Sequence, residues 1–169
     1  IYNGAQRLSV DYITFSTLSN ASDFGDVTAQ SGNVSQSAVV TDSNRAVWGG
    51  GQWNPDFGRT SKMMACASIA VNSNIAAISG DLTQARTSMG SASNATRGVW
   101  NGGAAGPSVP TYRSNVMDYV TIATAGNATD FGDAATALTG RYGASSRTRG
   151  IFAGGGTPSR VNNIEFITF

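Results

Sequence analysis

Apolar residues in this chain fall in short runs separated by Gly, Ser, Thr and Asn. Ala46-Val47-Trp48 and Met117-Asp118-Tyr119-Val120-Thr121-Ile122 are examples. No stretch carries a helical period bounded by caps. The choice of apolar residue points the same way: Ile and Val total 21, whereas Leu occurs four times. β-branched side chains suit a pleated surface. The pattern predicts an all-β chain of short strands. Where alternation is unclear, both faces of a strand are expected to be covered. The apolar runs are far too short for a membrane-spanning helix, so no membrane insertion is expected. No secretory leader pattern opens the chain, which begins at Ile1. Such a start is expected of a chain processed or excised from a longer polypeptide.

The runs repeat. Arg45-Ala46-Val47-Trp48-Gly49-Gly50 returns as Arg97-Gly98-Val99-Trp100-Asn101-Gly102 and as Arg149-Gly150-Ile151-Phe152-Ala153-Gly154, 52 residues apart each time. A second block, Val10-Asp11-Tyr12-Ile13-Thr14-Phe15, matches the run from Met117 to Ile122 and that from Ile164 to Phe169. Its copy around Ala65-Cys66-Ala67 is degenerate. A third block, Asn20-Ala21-Ser22-Asp23-Phe24-Gly25-Asp26, returns as Asn127-Ala128-Thr129-Asp130-Phe131-Gly132-Asp133 and more weakly as Asn74 to Asp81. Arg86 and Arg141 follow two of these copies, with Gln30 in that place in the first. A period near 50 with several short strands per unit is the pattern of a propeller blade. One such sheet cannot cover its own two faces, but its neighbours can. The units run about 1–44, 45–96, 97–148 and 149–169, a single partial domain over 1–169 of about 3.5 blades.

The order of these blocks resembles the kelch repeat. That resemblance implies a β-propeller of four-stranded antiparallel blades. In it Gly49-Gly50, Gly102-Gly103 and Gly154-Gly155 close second strands, and Tyr12, Tyr119 and Phe166 sit in third strands. Phe24 and Phe131 stand where kelch repeats carry Trp, a departure. The wording of the Asn-Ala-Thr-Asp-Phe-Gly-Asp and Thr-Arg-Gly pieces also resembles tandem repeats in structural proteins of tailed phages, notably cyanophages. That implies a virion structural protein of a tail fibre, head fibre or surface appendage. Fourteen strands are expected, short of the 24 or 28 of a six- or seven-bladed ring. The expected partners are therefore further copies or repeats of the same protein, together with other virion proteins and a cell-surface glycan. The alternatives are a cellular kelch-type interaction domain and a glycan-active propeller enzyme.

Composition narrows the chemistry. There is no His, one Cys and a net charge of +1. These exclude His-based triads, imidazole metal sites, an internal disulfide and Cys-based metal clusters. A near-neutral chain with a single Lys argues against nucleic acid as the main partner. No enzyme activity, metal or cofactor is expected. Some kelch-like propellers are copper oxidases with His ligands and a Tyr–Cys crosslink. Here Cys66 reads instead as a small buried hydrophobe.

The paired carboxylates Asp23/Asp26 and Asp130/Asp133 repeat with the blades, so they read as structural turns, with Phe24 and Phe131 packed between blades. Arg45, Arg97 and Arg149 read as architectural, bonding carbonyls or a neighbouring Asp. The same holds for Trp48, Trp100 and Phe152. Function is expected where the repeat breaks, in the long loops after the Gly-Gly strands. Trp53, Asn54, Asp56, Phe57, Arg59, Tyr112 and Arg113 are the binding candidates, because aromatics and Arg dominate binding hot spots and flat rings stack on sugars.

Overall fold

A computed structural model describes residues 9–28, 33–54, 60–106, 112–156 and 158–169, with backbone alone for Asn33, Val34, Trp53 and Asn54. The described residues form strands and no helix. In chain order the strands are β1 (Ser9–Tyr12), β2 (Ser22–Asp26), β3 (Asn33–Ser35), β4 (Ala38–Thr41), β5 (Arg45–Gly49) and β6 (Gln52–Asn54). They continue with β7 (Met63–Ser68), β8 (Ala76–Asp81), β9 (Arg86–Thr87), β10 (Gly90–Ser93), β11 (Arg97–Asn101) and β12 (Ala104–Ala105). The last are β13 (Tyr112–Arg113), β14 (Val116–Thr121), β15 (Thr129–Asp133), β16 (Tyr142–Ser145), β17 (Arg149–Ala153) and β18 (Ile164–Thr168).

These strands make antiparallel meanders. β4-β5-β7-β8 and β10-β11-β14-β15 are four-stranded, β16-β17-β18 is three-stranded, and β1-β2 is a pair. β3 pairs with β6, and β12 lies between β9 and β13. No sheet closes on itself among the described residues. The register repeats with the sequence: Trp48 faces Ala65, Trp100 faces Asp118 and Phe152 faces Glu165 across their second and third strands. Each sheet opens on the strand ahead of its arginine block, at Ala38, Gly90 and Tyr142.

The sheets stack face on face. Trp100 is fully buried against the preceding sheet, where it packs with Val40, Val47 and Met64. Its indole N–H donates to the Ala38 carbonyl at 2.9 Å. Phe152 is buried in the same way with Ala92, Val99 and Met117. Hydrogen bonds cross between first strands at the repeat spacing: Thr41 N–H donates to Ser93 Oγ, Ser91 Oγ–H to the Val39 carbonyl, and Ser93 N–H to Ser145 Oγ. Serine in these strands therefore ties one sheet to the next.

Close approach explains the small residues. A Cβ on Gly49 would lie 2.8 Å from Trp100 Cε2, and one on Gly98 would fall inside the Val40 side chain. Exchanging Gly98 for Ala should destabilise the protein by about 1–3 kcal/mol through overpacking, measured by chemical denaturation. After each second strand, both residues of Gly50-Gly51, Gly102-Gly103 and Gly154-Gly155 have positive φ, between 61° and 104°; the first pair lies one residue later than the expected Gly49-Gly50, because Gly49 is still within β5. Glycine, without a Cβ, adopts two such residues in succession at least cost.

Two expectations are corrected. The described residues form eighteen strands rather than fourteen, because β3 with β6 and β12 with β9 and β13 make short extra sheets outside the meanders. Asp23-Phe24-Gly25-Asp26 and Asp130-Phe131-Gly132-Asp133 are not turns but lie in β2 and β15. Each strand meets its neighbour with a register shift, between Val10 and Asp11 or between Met117 and Asp118. Gly25 (φ 148°) and Gly132 (φ 123°) absorb that irregularity, which reads as a turn signal in sequence. Phe24 and Phe131 stand edge-to-face on Tyr12 and Tyr119, with centroids 6.3 and 6.0 Å apart.

Candidate functional site

The repeated polar residues hold sheets together. In β11, Arg97 stacks over the Tyr119 ring at 5.1 Å, and in β17 Arg149 stacks over Phe166 at the same distance. Arg45 has no ring to cover, because its sheet carries Cys66 opposite Val47. It reaches the next sheet instead and donates to the carbonyls of Ile122 (3.3 Å) and Ala123 (2.7 Å). Cys66 is a free, half-buried thiol.

Two buried arginines form the other polar cluster. Arg86 pairs with Asp118, both side chains fully buried, and donates to the carbonyls of Gly102 and Val116 at 2.6 Å. Thr83 Oγ–H donates to the same carboxylate. Burial lowers the Arg86 pKa, opposed by the charge and hydrogen bond of Asp118. Arg141 pairs with Glu165 at 3.1 Å and donates to Asn163 Oδ1 at 2.9 Å and Asn101 Oδ1 at 3.2 Å. Asp118 and Glu165 hold equivalent positions. Their arginines do not: the backbone carbonyl that receives the Gly-Gly N–H belongs to Arg86 in one case and to Leu138 in the other. The guanidinium thus comes from two register positions to meet the same carboxylate. Where Ala65 replaces the acid, Val34 and Ser37 stand at the two arginine positions, one repeat (52 residues) before Arg86 and two repeats (104 residues) before Arg141. Charge and counter-charge are absent together, as expected when an unpaired buried charge is costly.

Among the described residues, no three His, Cys, Asp or Glu side chains gather where a metal could sit. Asp23, Asp26, Asp130 and Asp133 lie along two separate edge strands.

The loop candidates are distributed as follows. Asp56, Phe57 and Arg59 lie outside the described residues. Trp53 and Asn54 form the end of β6, their backbones paired with Val34 and Asn33. Tyr112 and Arg113 form β13, paired with Ala105 and Ala104, and both are exposed. The Tyr112 hydroxyl accepts a hydrogen bond from Gln84 Nε2 at 3.2 Å.

Arg113 lines a cleft of about 480 Å³ with Thr139, Tyr142, Pro158 and Arg160. Main-chain bonds build its walls. Gly140 N–H donates to the Ser88 carbonyl at 2.9 Å, Gly156 N–H to Thr139 at 3.0 Å, and Val161 N–H to Gly155 at 3.0 Å. Arg160 is held by a bridge to Gly156. Tyr142 is 81% exposed at the start of β16. Neither Arg113 nor Arg160 forms an ion pair among the described residues. Beyond Tyr142 a second groove continues past Gln36, Ser37, Ser88 and Ser91. Sequence reasoning found Arg113 but missed Arg160 and Tyr142. The available signal was the short connection around Thr157-Pro158-Ser159, where the third copy departs from the two long loops. No family model and no curated protein matches the chain.

Proposed function

We propose that this chain is a non-enzymatic structural module of a virion, a kelch-like propeller segment in a tail fibre, head fibre or other surface appendage. The propeller part of the reading rests on the sheet-on-sheet packing repeated every 52 residues, with Trp100 and Phe152 seated alike on the preceding sheet, and the virion part on the resemblance of the repeated wording to phage structural proteins. In a propeller the first strands of successive blades line the axis. The hydrogen bonds linking β4, β10 and β16 fit that placement. The far face of the last sheet also suits a further repeat unit. Val47 and Val99 are fully buried, whereas their equivalent Ile151 is 45% exposed beside Phe166 at 64%. An uncovered apolar face of this kind marks an interaction surface. Further repeats or copies would cover it, and rim loops would contact other virion proteins or a host-surface glycan.

Electron microscopy of the source particle tests the location. Antibody against this chain should decorate an appendage of the particle. Recovery of the protein only from soluble cell extract would remove the virion assignment and favour a cellular interaction domain. A glycan-release assay showing turnover abolished by one Asp substitution would replace the non-enzymatic reading.

A further inference from the structure

We propose that the cleft between Arg113 and Arg160 binds an acidic oligosaccharide, a sugar chain carrying carboxylates, with Tyr142 as its stacking platform. This rests on the surface-recognition role proposed above and narrows it to one site and one ligand class.

Two arginines line one small cleft, and neither guanidinium has a carboxylate partner among the described residues. That differs from Arg86 and Arg141, which are buried and matched to acids. A guanidinium offers a planar fork of donors that fits a carboxylate, so two free forks in one cleft favour an anionic ligand. Main-chain hydrogen bonds fix the backbone under Tyr142 and Arg160, so binding has to order the arginine side chains but not the segments that carry them. Tyr142 stands 81% exposed between this cleft and the groove lined by Gln36, Ser37, Ser88 and Ser91. A flat ring flanked by charged donors on one side and hydroxyl and amide groups on the other suits a chain of sugars: the ring takes an apolar sugar face, and the polar groups meet hydroxyls. Nucleic acid is disfavoured, because tracking a phosphate backbone needs many cations and this chain has a net charge of +1.

Calorimetric titration of the full chain with tetragalacturonate and with sialyllactose tests the proposal. Maltotetraose, inorganic sulfate and a ten-residue oligothymidylate serve as comparisons. At least one acidic sugar should bind. Arg113→Gln and Arg160→Gln should each weaken it about tenfold, since a hydrogen bond to a charged group is worth roughly that factor. Tyr142→Ala should weaken the sugar and leave sulfate unchanged, whereas Arg147→Gln, on an exposed turn outside the cleft, should alter neither. All four sites are exposed, and unchanged thermal unfolding would confirm that the variants fold. Absence of binding by both acidic sugars, equal binding of maltotetraose, tighter binding of the oligothymidylate, or indifference to both arginine substitutions would each overturn the site. The virion assignment is read separately by microscopy, so the two can fail independently.

Discussion

Truncating Trp100 to Ala should cost about 3–5 kcal/mol of stability, among the largest effects expected of a single substitution in this chain. The ring is fully buried between two sheets, lies against Gly49 and donates to the Ala38 carbonyl. Its removal leaves a cavity that the opposing sheet cannot fill, because the backbones there are already tied by Thr41–Ser93 and Ser91–Val39 bonds. It also leaves the Ala38 carbonyl without its indole donor. Trp48 provides the internal comparison. It holds the same register position but is only half-buried, packed against the cluster of Ala65, Ala67 and Ile75. Trp48→Ala should therefore cost clearly less. The denaturation midpoints of the two variants measure the difference. Equal losses would mean that the repeated ring position does not set the sheet-to-sheet packing.

Asp118→Ala should be comparably severe, about 3–5 kcal/mol, for an electrostatic reason. It strands the Arg86 guanidinium, a buried cation whose charged form burial already disfavours and which Asp118 supports. Thr83 loses its acceptor in the same step. The distinguishing measurement is the double variant Arg86→Met/Asp118→Leu, which removes both charges and should recover most of the loss. If the double variant is as unstable as Asp118→Ala, the cost lies in lost shape and hydrogen bonds, and the counter-charge argument fails. Arg141 and Glu165 repeat the arrangement with the acid 16% exposed, so Glu165→Ala should be milder.

The strand order was legible because each unit spells it out. Val, Ile and aromatic runs bounded by Gly-Gly, recurring 52 residues apart, place Trp48, Trp100 and Phe152 in equivalent strands without any tertiary information. The Asp-Phe-Gly-Asp segments misled because Asp and Gly are local turn signals, whereas the positive φ of Gly25 and Gly132 serves a bulged strand pairing. The equivalence of Arg86 and Arg141 also failed as a register statement. Long side chains reach one carboxylate from positions three residues apart along the repeat, so sequence order does not fix which backbone position supplies the charge. The different routes taken by Arg45 and Arg97 depend on one neighbour, Cys66 or Tyr119, in the opposite strand. For the candidate site, Arg113 and Tyr112 could be picked out from a long loop. Arg160 and Tyr142 could not, because the cleft is lined by three separate stretches of chain, of which main-chain bonds between Thr139 and Gly156 join two.

The most direct test of the account is a cryo-electron microscopy reconstruction of the protein in its native assembly, read for the arrangement of the repeated sheets. The account predicts a closed ring with β4, β10 and β16 around its axis and a further repeat unit covering Ile151 and Phe166. An open stack or sandwich, with those first strands on the outer surface or that apolar face left in solvent, would contradict it.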